Sequence, residues 1–348
     1  MRFGHVLAVC VVVCIELTRV SARGARQALR PLGVRVLGVP SDGEGPRPDA
    51  LRALLTSARL RGLRRCAARC AHVSPRARPA PRPGRAAAGA PRVKLFYAVP
   101  VSCNPTGVSW SLERKRAVYA LACEFDFLLL EDDAYFYLQF PPREGPACGE
   151  APGLFRLGAS LLSLDTQSRV VRVDTFSKCL APGLRLGWLS APPGPLAERL
   201  GRAMQASAQG ANSHAQVLAA RLLSEWGPAG LDAHLRALQA DYARCASALS
   251  AAAARHLGGG LASFAPPSAG MFLWLRLGCG VSDSEALQPL LQGALVAVVP
   301  GAVFHVDRAP CPFVRLSFAS ASDAQFDAAM ARLAALLRAL PGAPRPEA

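Results

Sequence analysis

The sequence predicts an α/β fold with a mostly parallel sheet, followed by a smaller C-terminal α+β domain. An apolar strand at Lys94–Val101 precedes a helix at Ser111–Glu124 and a second apolar strand at Phe125–Leu130. A strand, a helix and a strand of these lengths are typical of a parallel sheet. Two later apolar runs, Ala269–Leu277 and Phe313–Phe318, predict strands of the second domain. A chain of 348 residues is long enough to form both.

The remaining elements follow from hydrophobic spacing and capping residues. Upstream, the chain predicts a strand around Val34–Val39, a turn at Asp42 and a helix that starts near Asp49. The helix at 111–124 has Ser109 or Ser111 as its cap and turns its apolar residues Val118, Leu121 and Ala122 inward. Later helices are predicted at Ala197–Met204, Ala215–Trp226 and Leu231–Leu257, and at Ser322–Leu340 with Phe326, Met330, Leu333 and Leu337 inward.

We divide the chain by composition and pattern. Residues 1–25 form an atypical apolar and basic N-terminus, and residues 26–230 form part of a large domain. Within it, residues 72–92 are rich in Pro, Arg and Ala without apolar periodicity, which predicts a disordered linker. Residues 231–340 supply an interdomain helix and the small domain, and residues 341–348 form a tail.

The net charge of +16 is concentrated at one end of the chain. Residues 1–95 hold 19 basic and 4 acidic residues, whereas the rest of the chain holds 21 basic and 20 acidic residues. The body is therefore nearly neutral, and we expect neither a nucleic-acid nor a membrane partner. The eleven cysteines are odd in number and scattered, which favours reduced thiols over a disulfide framework or a metal site.

The apolar run Val6–Ile15 has four interpretations. A basic start and small residues at Val20–Ala22 resemble a signal peptide, while the same run also suits a buried strand, an organelle presequence or sequence that does not belong to the working protein. The run is too short to span a bilayer. Because so many cysteines are unpaired, we expect a cytoplasmic or mitochondrial location in preference to secretion.

The stretch Val171–Leu189 contains the strongest candidate for chemistry. Its centre, Lys178, is one of only three lysines and lies between two apolar runs. An amine there loses solvation, which lowers its pKa and suits it to act as a nucleophile that forms a Schiff base. The hydroxyls of Thr175 and Ser177 and the cation of Arg185 form a set suited to a phosphate. The alternative is a lysine whose amine reaches solvent from a strand end.

Polar side chains also follow two earlier strands. Asn104 lies in a turn after the first strand, and Asp132 follows the second, with Tyr135 three residues later. The carboxyl ends of parallel strands carry the ligand contacts of α/β sheets. These side chains are therefore expected at the same edge as Lys178, although an exposed loop carboxylate remains an alternative for Asp132.

Five segments in order, SCNPTG, EDDAYFYLQF, VDTFSKCLAPGLRLGWL, AGMFLWLRL and PFVRLSF, resemble the class I aminotransferases. These are pyridoxal-phosphate enzymes of the three-layer aspartate aminotransferase fold. Within this family, the sequence is most similar to the kynurenine/α-aminoadipate aminotransferases, in the segments EDDAYFYLQF, LLSEWG, AGMFLWL and VVPGAVF. The match covers roughly Arg26–Leu340, apart from the linker and a longer stretch at Pro141–Leu164.

The resemblance implies a role for each matching residue. Lys178 binds pyridoxal 5'-phosphate as a Schiff base and then moves the substrate proton. Asp132 pairs with the pyridine nitrogen, and Tyr135 and Asn104 bind the phenolic oxygen of the ring.

Other matching residues bind the two ends of the ligands. The resemblance implies that Thr175, Ser177 and Arg185 hold the cofactor phosphate. Arg315 binds the substrate carboxylate through a bidentate pair, and Asn104 contributes to that substrate site. Without the other matching segments, the simpler interpretation of Arg315 is an arginine at a strand end with no role in binding.

The implied activity is transamination of an L-amino acid similar to kynurenine or 2-aminoadipate, with a 2-oxo acid such as 2-oxoglutarate, in a homodimer. In the resembling enzymes a longer segment precedes the region that begins here near Arg26, with a phosphate-binding turn and an aromatic that stacks on the ring. Residues 1–25 offer no counterpart, so we expect weakened or lost cofactor binding. A truncated, non-catalytic remnant and another pyridoxal-phosphate reaction (β-lyase or decarboxylase) remain alternatives.

Overall fold

A computed structural model describes residues 34–56, 93–140, 157–305 and 307–343, together with the backbone strand Val12–Ile15. The predicted linker at residues 72–92 and most of residues 1–25 lie outside the described residues. None of the described helices is both long and apolar enough to cross a bilayer.

The large sheet contains six described strands, all parallel except the last. In chain order, with the short hairpin β3–β4 included, they are β1 (Val12–Ile15), β2 (Arg35–Leu37), β3 (Ser41–Asp42), β4 (Gly45–Pro46), β5 (Val93–Ala98), β6 (Leu128–Asp132), β7 (Val170–Thr175) and β8 (Gly187–Ser190). Their order across the sheet is β2-β1-β5-β6-β7-β8, and β8 runs antiparallel to β7. For the last four residues of the apolar run at 6–15, the structure agrees with the strand interpretation.

A small antiparallel sheet forms the C-terminal domain. Its strands are β9 (Ala262–Phe264), β10 (Phe272–Leu277), β11 (Val299–Pro300) and β12 (Phe313–Ser317), in the order β11-β12-β10-β9. Strands β10 and β12 confirm the two predicted apolar strands.

The helices are α1 (Pro48–Thr56), α2 (Leu112–Phe125), α3 (Pro195–Ser207), α4 (Ser213–Leu257), α5 (Gln288–Gly293) and α6 (Asp323–Arg338). Helix α4 is interrupted at Gly227, which has a φ of 58° and precedes Pro228. The break confirms the prediction of two successive helices, ending near Trp226 and restarting near Leu231.

Helix α2 shows how local sequence fixes an element beside the sheet. The Ser111 hydroxyl accepts from the Arg114 N–H at 3.2 Å, which identifies Ser111, rather than Ser109, as the cap. The helix continues through Phe125 and ends at Asp126, a residue with a φ of 57°. The prediction that the next strand starts at Phe125 was therefore wrong by three residues. The predicted inward residues Val118, Leu121 and Ala122 are buried.

The two faces of the large sheet belong to different cores. Phe96 and Leu129 pack on the α2 side. Tyr97 and Val99 face the opposite side and share a core with the small domain and α6. In α6, the predicted residues Phe326, Met330, Leu333 and Leu337 are buried, and Ser322 and Gln325 form a capping box.

Beneath the ends of β6 and β7 lies a buried charge cluster, defined as Lys115, Glu131, Asp133, Arg172 and Asp174, each at most 7% exposed. Two nitrogens of Arg172 donate to Asp174 at 2.8 Å, and its Nη1 lies 3.2 Å from Asp133 and 4.0 Å from Glu131. Neither Asp133 oxygen accepts a hydrogen bond from a described group, so its contact with Arg172 is ionic only. The Arg172 guanidinium therefore lies beside three carboxylates, and the charge of Lys115 adds to its effect on Glu131 and Asp133.

Burial raises the pKa of two members of the charge cluster. The pKa of Asp133 is raised well above its ordinary value by desolvation and then by the charge of Glu131. Desolvation also raises the pKa of Glu131, against the opposing effect of the N–H groups of Leu161 and Leu162 that its carboxylate accepts. Arg172 limits both shifts because its charge favours the ionised carboxylates.

Replacement of Arg172 tests the energy of this cluster. Arg172→Met leaves Lys115 as the remaining cation of the cluster for three buried carboxylates, and we expect a loss of about 3–5 kcal/mol in the free energy of unfolding at pH 7. The loss should shrink near pH 4.5, because carboxyls with raised pKa values take up protons in the folded state and then need no cation. Chemical denaturation at the two pH values measures the difference.

The matched control is Arg169→Met, which removes a pair with the largely exposed Asp126 carboxylate. Exposed pairs contribute about 0–1 kcal/mol, so this variant should change stability little at either pH. A loss for Arg172→Met as small as that of the control, or one that does not depend on pH, would contradict the assignment.

Candidate active site

The carboxyl ends of β5, β6 and β7 form one edge of the large sheet. In the parallel register Asp132 pairs with Val173, and the Asp133 N–H donates to the Val173 carbonyl at 3.0 Å. Asp132 is the last residue of β6, and the turn that carries Lys178 begins directly after Thr175, the last residue of β7. The predicted edge is therefore present, with both residues on adjacent strand ends.

Asp132 points away from the charge cluster, because alternate residues of a strand face opposite sides. The Tyr97 hydroxyl donates to Asp132 Oδ2. Burial raises the pKa of Asp132, and the charge of Asp174 adds to this effect. A cation beside the carboxylate would act in the opposite direction. Asp132 is thus a half-buried acid suited to a positively charged partner.

Asn104 lies in a tight turn beyond β5. The Gly107 N–H donates to the Cys103 carbonyl at 2.7 Å, and the Asn104–Pro105 peptide is cis. The Asn104 side chain accepts from Arg315 Nη1 at 2.8 Å and is hydrogen-bonded to Tyr135. Three predicted residues from three separate segments therefore meet.

Tyr135 is buried at this meeting point. Burial, followed by the charge of Asp132, raises the pKa of its phenol. Its ring packs edge to face on Phe272, with centroids 5.9 Å apart. A phenol that stays protonated in this position is suited to donate a hydrogen bond to an oxygen of a ligand.

Arg315 enters from β12 of the small domain. Its guanidinium carbon lies 4.2 Å from the ring centroid of Phe272 and 5.1 Å from that of Phe304. Desolvation lowers its pKa. Its buried Nε atom has no hydrogen-bond partner among the described residues, although a buried N–H group ordinarily has one. A carboxylate that binds here would accept from that atom.

A close contact between the domains keeps Arg315 near Asn104. The Ser102 hydroxyl donates to the Ala269 carbonyl at 3.0 Å, and the Gly270 N–H donates to the Leu138 carbonyl at 2.9 Å. A Cβ at Gly270, where φ is +72°, would lie 1.9 Å from Ser102 Oγ. Glycine is therefore required where the loop before β10 meets the segments that follow β5 and β6.

The turn between β7 and β8 gathers the predicted phosphate-binding residues. Thr175 Oγ1 donates to Ser177 Oγ at 2.9 Å, and Arg185 Nη1 donates to the same Ser177 oxygen at 3.3 Å. Arg185 has a φ of 49°, a left-handed conformation that directs the chain back into β8. Two hydroxyls and an exposed guanidinium thus share one place, which is a donor set suited to a phosphate.

Lys178 lies in that turn with a half-buried side chain. Its amine makes no hydrogen bond or ion pair with Asp132 or with any other described residue. Lys178 is therefore brought to the shared edge by strand register rather than by a direct contact. An amine without a competing acceptor is free to react with a carbonyl ligand.

The donor set fits pyridoxal 5'-phosphate in kind. It offers an amine for the aldehyde, an acid for the ring nitrogen, an amide and a phenol for the ring oxygen, and hydroxyls with a guanidinium for the phosphate. The sequence motifs did not predict three residues of this site, namely Tyr97, Phe272 and Phe304. Tyr97 could have been predicted from the sequence, because the alternation of side chains along paired strands places it on the same face of the sheet as Leu130 and Asp132. The two phenylalanines depend on how the domains pack.

Comparison with known proteins agrees with this geometry. The family described as "Aminotransferase class I and II" matches residues 84–333. The chain is 36% identical over 317 residues to the mitochondrial kynurenine/alpha-aminoadipate aminotransferase of Bos taurus, covering 90% of this chain and 66% of the relative. The Mus musculus protein of the same name is 34% identical, with the same two shares. The chain thus spans about two thirds of the length of these relatives.

Solved structures show the same fold. A kynurenine aminotransferase from Pyrococcus horikoshii, in complex with PMP, superposes with a TM-score of 0.76 at 26% identity, over 94% of this chain and 69% of that chain. The alpha-aminoadipate aminotransferase LysN from Thermus thermophilus, complexed with N-(5'-phosphopyridoxyl)-L-leucine, gives 0.73 at 26% identity, over 94% and 71%. Both the predicted fold and the predicted resemblance are confirmed. With its sheet, its strand-end donor set and these matches, the chain belongs to the class I and II aminotransferases, whose cofactor is pyridoxal 5'-phosphate.

Proposed function

We propose that this chain binds pyridoxal 5'-phosphate and transfers an amino group from an L-amino acid to a 2-oxo acid. The observation that carries the proposal is the edge at which Asp132 and the unpaired amine of Lys178 end adjacent strands. The bonded pair of Asn104 and Arg315 lies at the same strand ends. Each group has a matching function in this one reaction.

The cofactor, when bound, supplies a ring that accepts the electrons released at the Cα atom of the substrate. Asp132 keeps the ring nitrogen protonated, because its buried carboxylate is stabilised by a cation. Asn104 and Tyr135 hold the ring oxygen, which fixes the orientation of the ring. Lys178 would hold the cofactor in the resting state. Once the substrate amino group has displaced it, the free amine of Lys178 would take the Cα proton as general base.

Arg315 orients the substrate. Its planar guanidinium binds a carboxylate through two parallel hydrogen bonds. The rings of Phe272 and Phe304 restrict its movement from 4.2 and 5.1 Å. A substrate held this way presents its amino group toward the Lys178 edge, which reduces the entropy cost of the reaction.

The substrates we propose are kynurenine-like or 2-aminoadipate-like amino acids, with 2-oxoglutarate as an acceptor. The support is the name of the bovine and mouse relatives, kynurenine/alpha-aminoadipate aminotransferase, at 36% and 34% identity. Those relatives are also mitochondrial by name, so the mitochondrion is the compartment we propose for this chain.

Cofactor attachment provides the first test. The purified chain is mixed with pyridoxal 5'-phosphate, reduced with borohydride and digested, and the labelled peptide is identified by mass spectrometry. We expect the label on Lys178 and its loss in Lys178→Arg, because among the three lysines, all of which the structure describes, this one adjoins the phosphate-type donor set. Lys94→Arg, which alters another half-buried lysine, should keep the label. A label on Lys94, or an unlabelled chain, would contradict the proposal and favour a non-catalytic member of the family.

Substrate binding provides the second test. Arg315→Lys keeps the charge but loses the bidentate geometry, and hydrogen bonds to charged groups contribute roughly 1.5–3 kcal/mol. We therefore expect kcat/KM for the amino acid to fall about ten- to hundredfold. The rate of 2-oxo acid formation at a series of amino-acid concentrations measures this change. Arg276→Lys, an exposed position on the adjacent strand β10, is the control. Equal effects of the two variants would argue against the carboxylate role, and release of ammonia or carbon dioxide would indicate a lyase or decarboxylase.

We also propose that the chain is a homodimer. Apolar side chains are exposed on α3 and the start of α4, with Met204 at 49%, Val217 at 67% and Leu218 at 63%. Met204 lines the same surface depression as Gln216, the residue before Val217, and contiguous exposed apolar side chains favour an interface. Sedimentation equilibrium should give twice the chain mass, and Leu218→Glu should lower it to one chain. Leu295→Glu, at a position 76% exposed in the small domain, should have no effect. A monomeric parent chain would refute the dimer.

A further inference from the structure

Helix α4 contacts both loops that carry the candidate cofactor residues. The His234 ring nitrogen Nε2 lies 2.7 Å from the carbonyl oxygen of Cys179, the residue directly after Lys178. Five residues along the same helix, Gln239 Nε2 donates to the carbonyl oxygen of Tyr137 at 3.0 Å. Tyr137 follows Tyr135 by two residues in the segment that leaves β6.

Both contacts end on main-chain carbonyls, so they act on the path of the loops and not on any one side chain. A carbonyl only accepts hydrogen bonds, hence Nε2 of His234 carries the proton in this contact. The Cys179 Sγ also lies 3.6 Å from the Thr175 carbonyl, which links the turn back to the end of β7.

The break in α4 supports the position of the His234 ring. The Trp226 ring lies against it, with centroids 4.8 Å apart and planes inclined by 33°. Trp226 is on the far side of the interruption at Gly227, whose φ of 58° suits glycine. At Gly230 a Cβ would lie 2.9 Å from the Trp226 Cβ atom. The interruption therefore lets the tryptophan fold back onto the histidine.

We propose that His234 and Gln239 are positioning residues, which hold the Lys178 turn and the segment after Asp132 against the part of α4 that follows its interruption. Through them, α4 sets the separation between the amine and the carboxylate, which share no direct contact. This inference rests on the proposed function for its catalytic consequence, while the mechanical link itself is independent of any cofactor.

Hydrogen–deuterium exchange of the chain without cofactor tests the link. The Leu180 and Ala181 N–H groups bond to the Phe176 carbonyl within the turn, at 2.9 and 3.2 Å, and they report its opening. In His234→Ala we expect their exchange to accelerate about three- to tenfold, the effect of one lost hydrogen bond. His234→Gln keeps an N–H donor of similar reach and should restore slow exchange.

Gln239→Ala should accelerate exchange at Leu138, whose N–H bonds to the Tyr135 carbonyl at 2.8 Å. The matched control is Gln216→Ala, since this exposed glutamine bonds at 2.9 Å to the Ala211 carbonyl beside its own helix. The control should leave both loops unchanged. Acceleration throughout the chain, including α6, or unchanged exchange in both loops of the two alanine variants, would overturn the proposal.

Cofactor attachment separates this inference from the proposed function. If the parent chain is labelled at Lys178, we expect His234→Ala to slow labelling about threefold or more, and His234→Gln to recover the parent rate. Normal labelling in His234→Ala would overturn the positioning role. If the parent chain is not labelled at all, the proposed function fails, and the exchange experiment alone decides whether α4 holds the two loops.

Discussion

Arg172 is the residue on which the arrangement at the sheet edge depends. Adjacent residues of β6 face opposite sides, so Asp132 can face the ligand side only if Glu131 and Asp133 are buried on the other. Three buried carboxylates would be prohibitively costly without a cation. Arg172 lies within 2.8–4.0 Å of Glu131, Asp133 and Asp174, and the charge of Lys115 also acts on the first two. The acid of the candidate site is therefore oriented by charge compensation on the reverse side of the same strand.

A second constraint joins the two domains. The large sheet supplies Asp132 and the Lys178 turn, whereas the small domain supplies Arg315. Their separation is set where Gly270 packs on Ser102, with no room for a side chain. The hydrogen bond between Arg315 and Asn104 then crosses the same boundary at 2.8 Å. The domains thus meet at the residues that we propose to bind the substrate, so packing between the domains would affect substrate affinity.

Much of this fold follows from periodicity. The sequence predicts the order of strands and helices, a cap at Ser109 or Ser111, and the buried face of α6. Each of these features depends on residues only a few positions apart. Motif similarity added the site residues from the five matching segments. The start of β6 was misplaced because Phe125 continues the helix pattern and the strand pattern equally well. Only the left-handed turn at Asp126 separates the two.

Other features depend on contacts between distant residues. In the sequence, Arg172 is an isolated basic residue in an apolar strand. Only the strand register shows that it lies beside Glu131. His234 and Gln239 look like ordinary polar positions on a long helix, and their partners are 55 and 102 residues away. Phe272 joins the site through the packing of two domains. No local pattern encodes these pairings, so they emerge only from the three-dimensional structure.

A crystal structure of the chain soaked with pyridoxal 5'-phosphate tests the central claim most directly. We predict electron density continuous with Lys178 Nζ, a ring nitrogen within hydrogen-bond distance of Asp132, and a phosphate contacted by Thr175, Ser177 and Arg185. Density at any other lysine, or a ring whose nitrogen lies away from Asp132, would contradict the account.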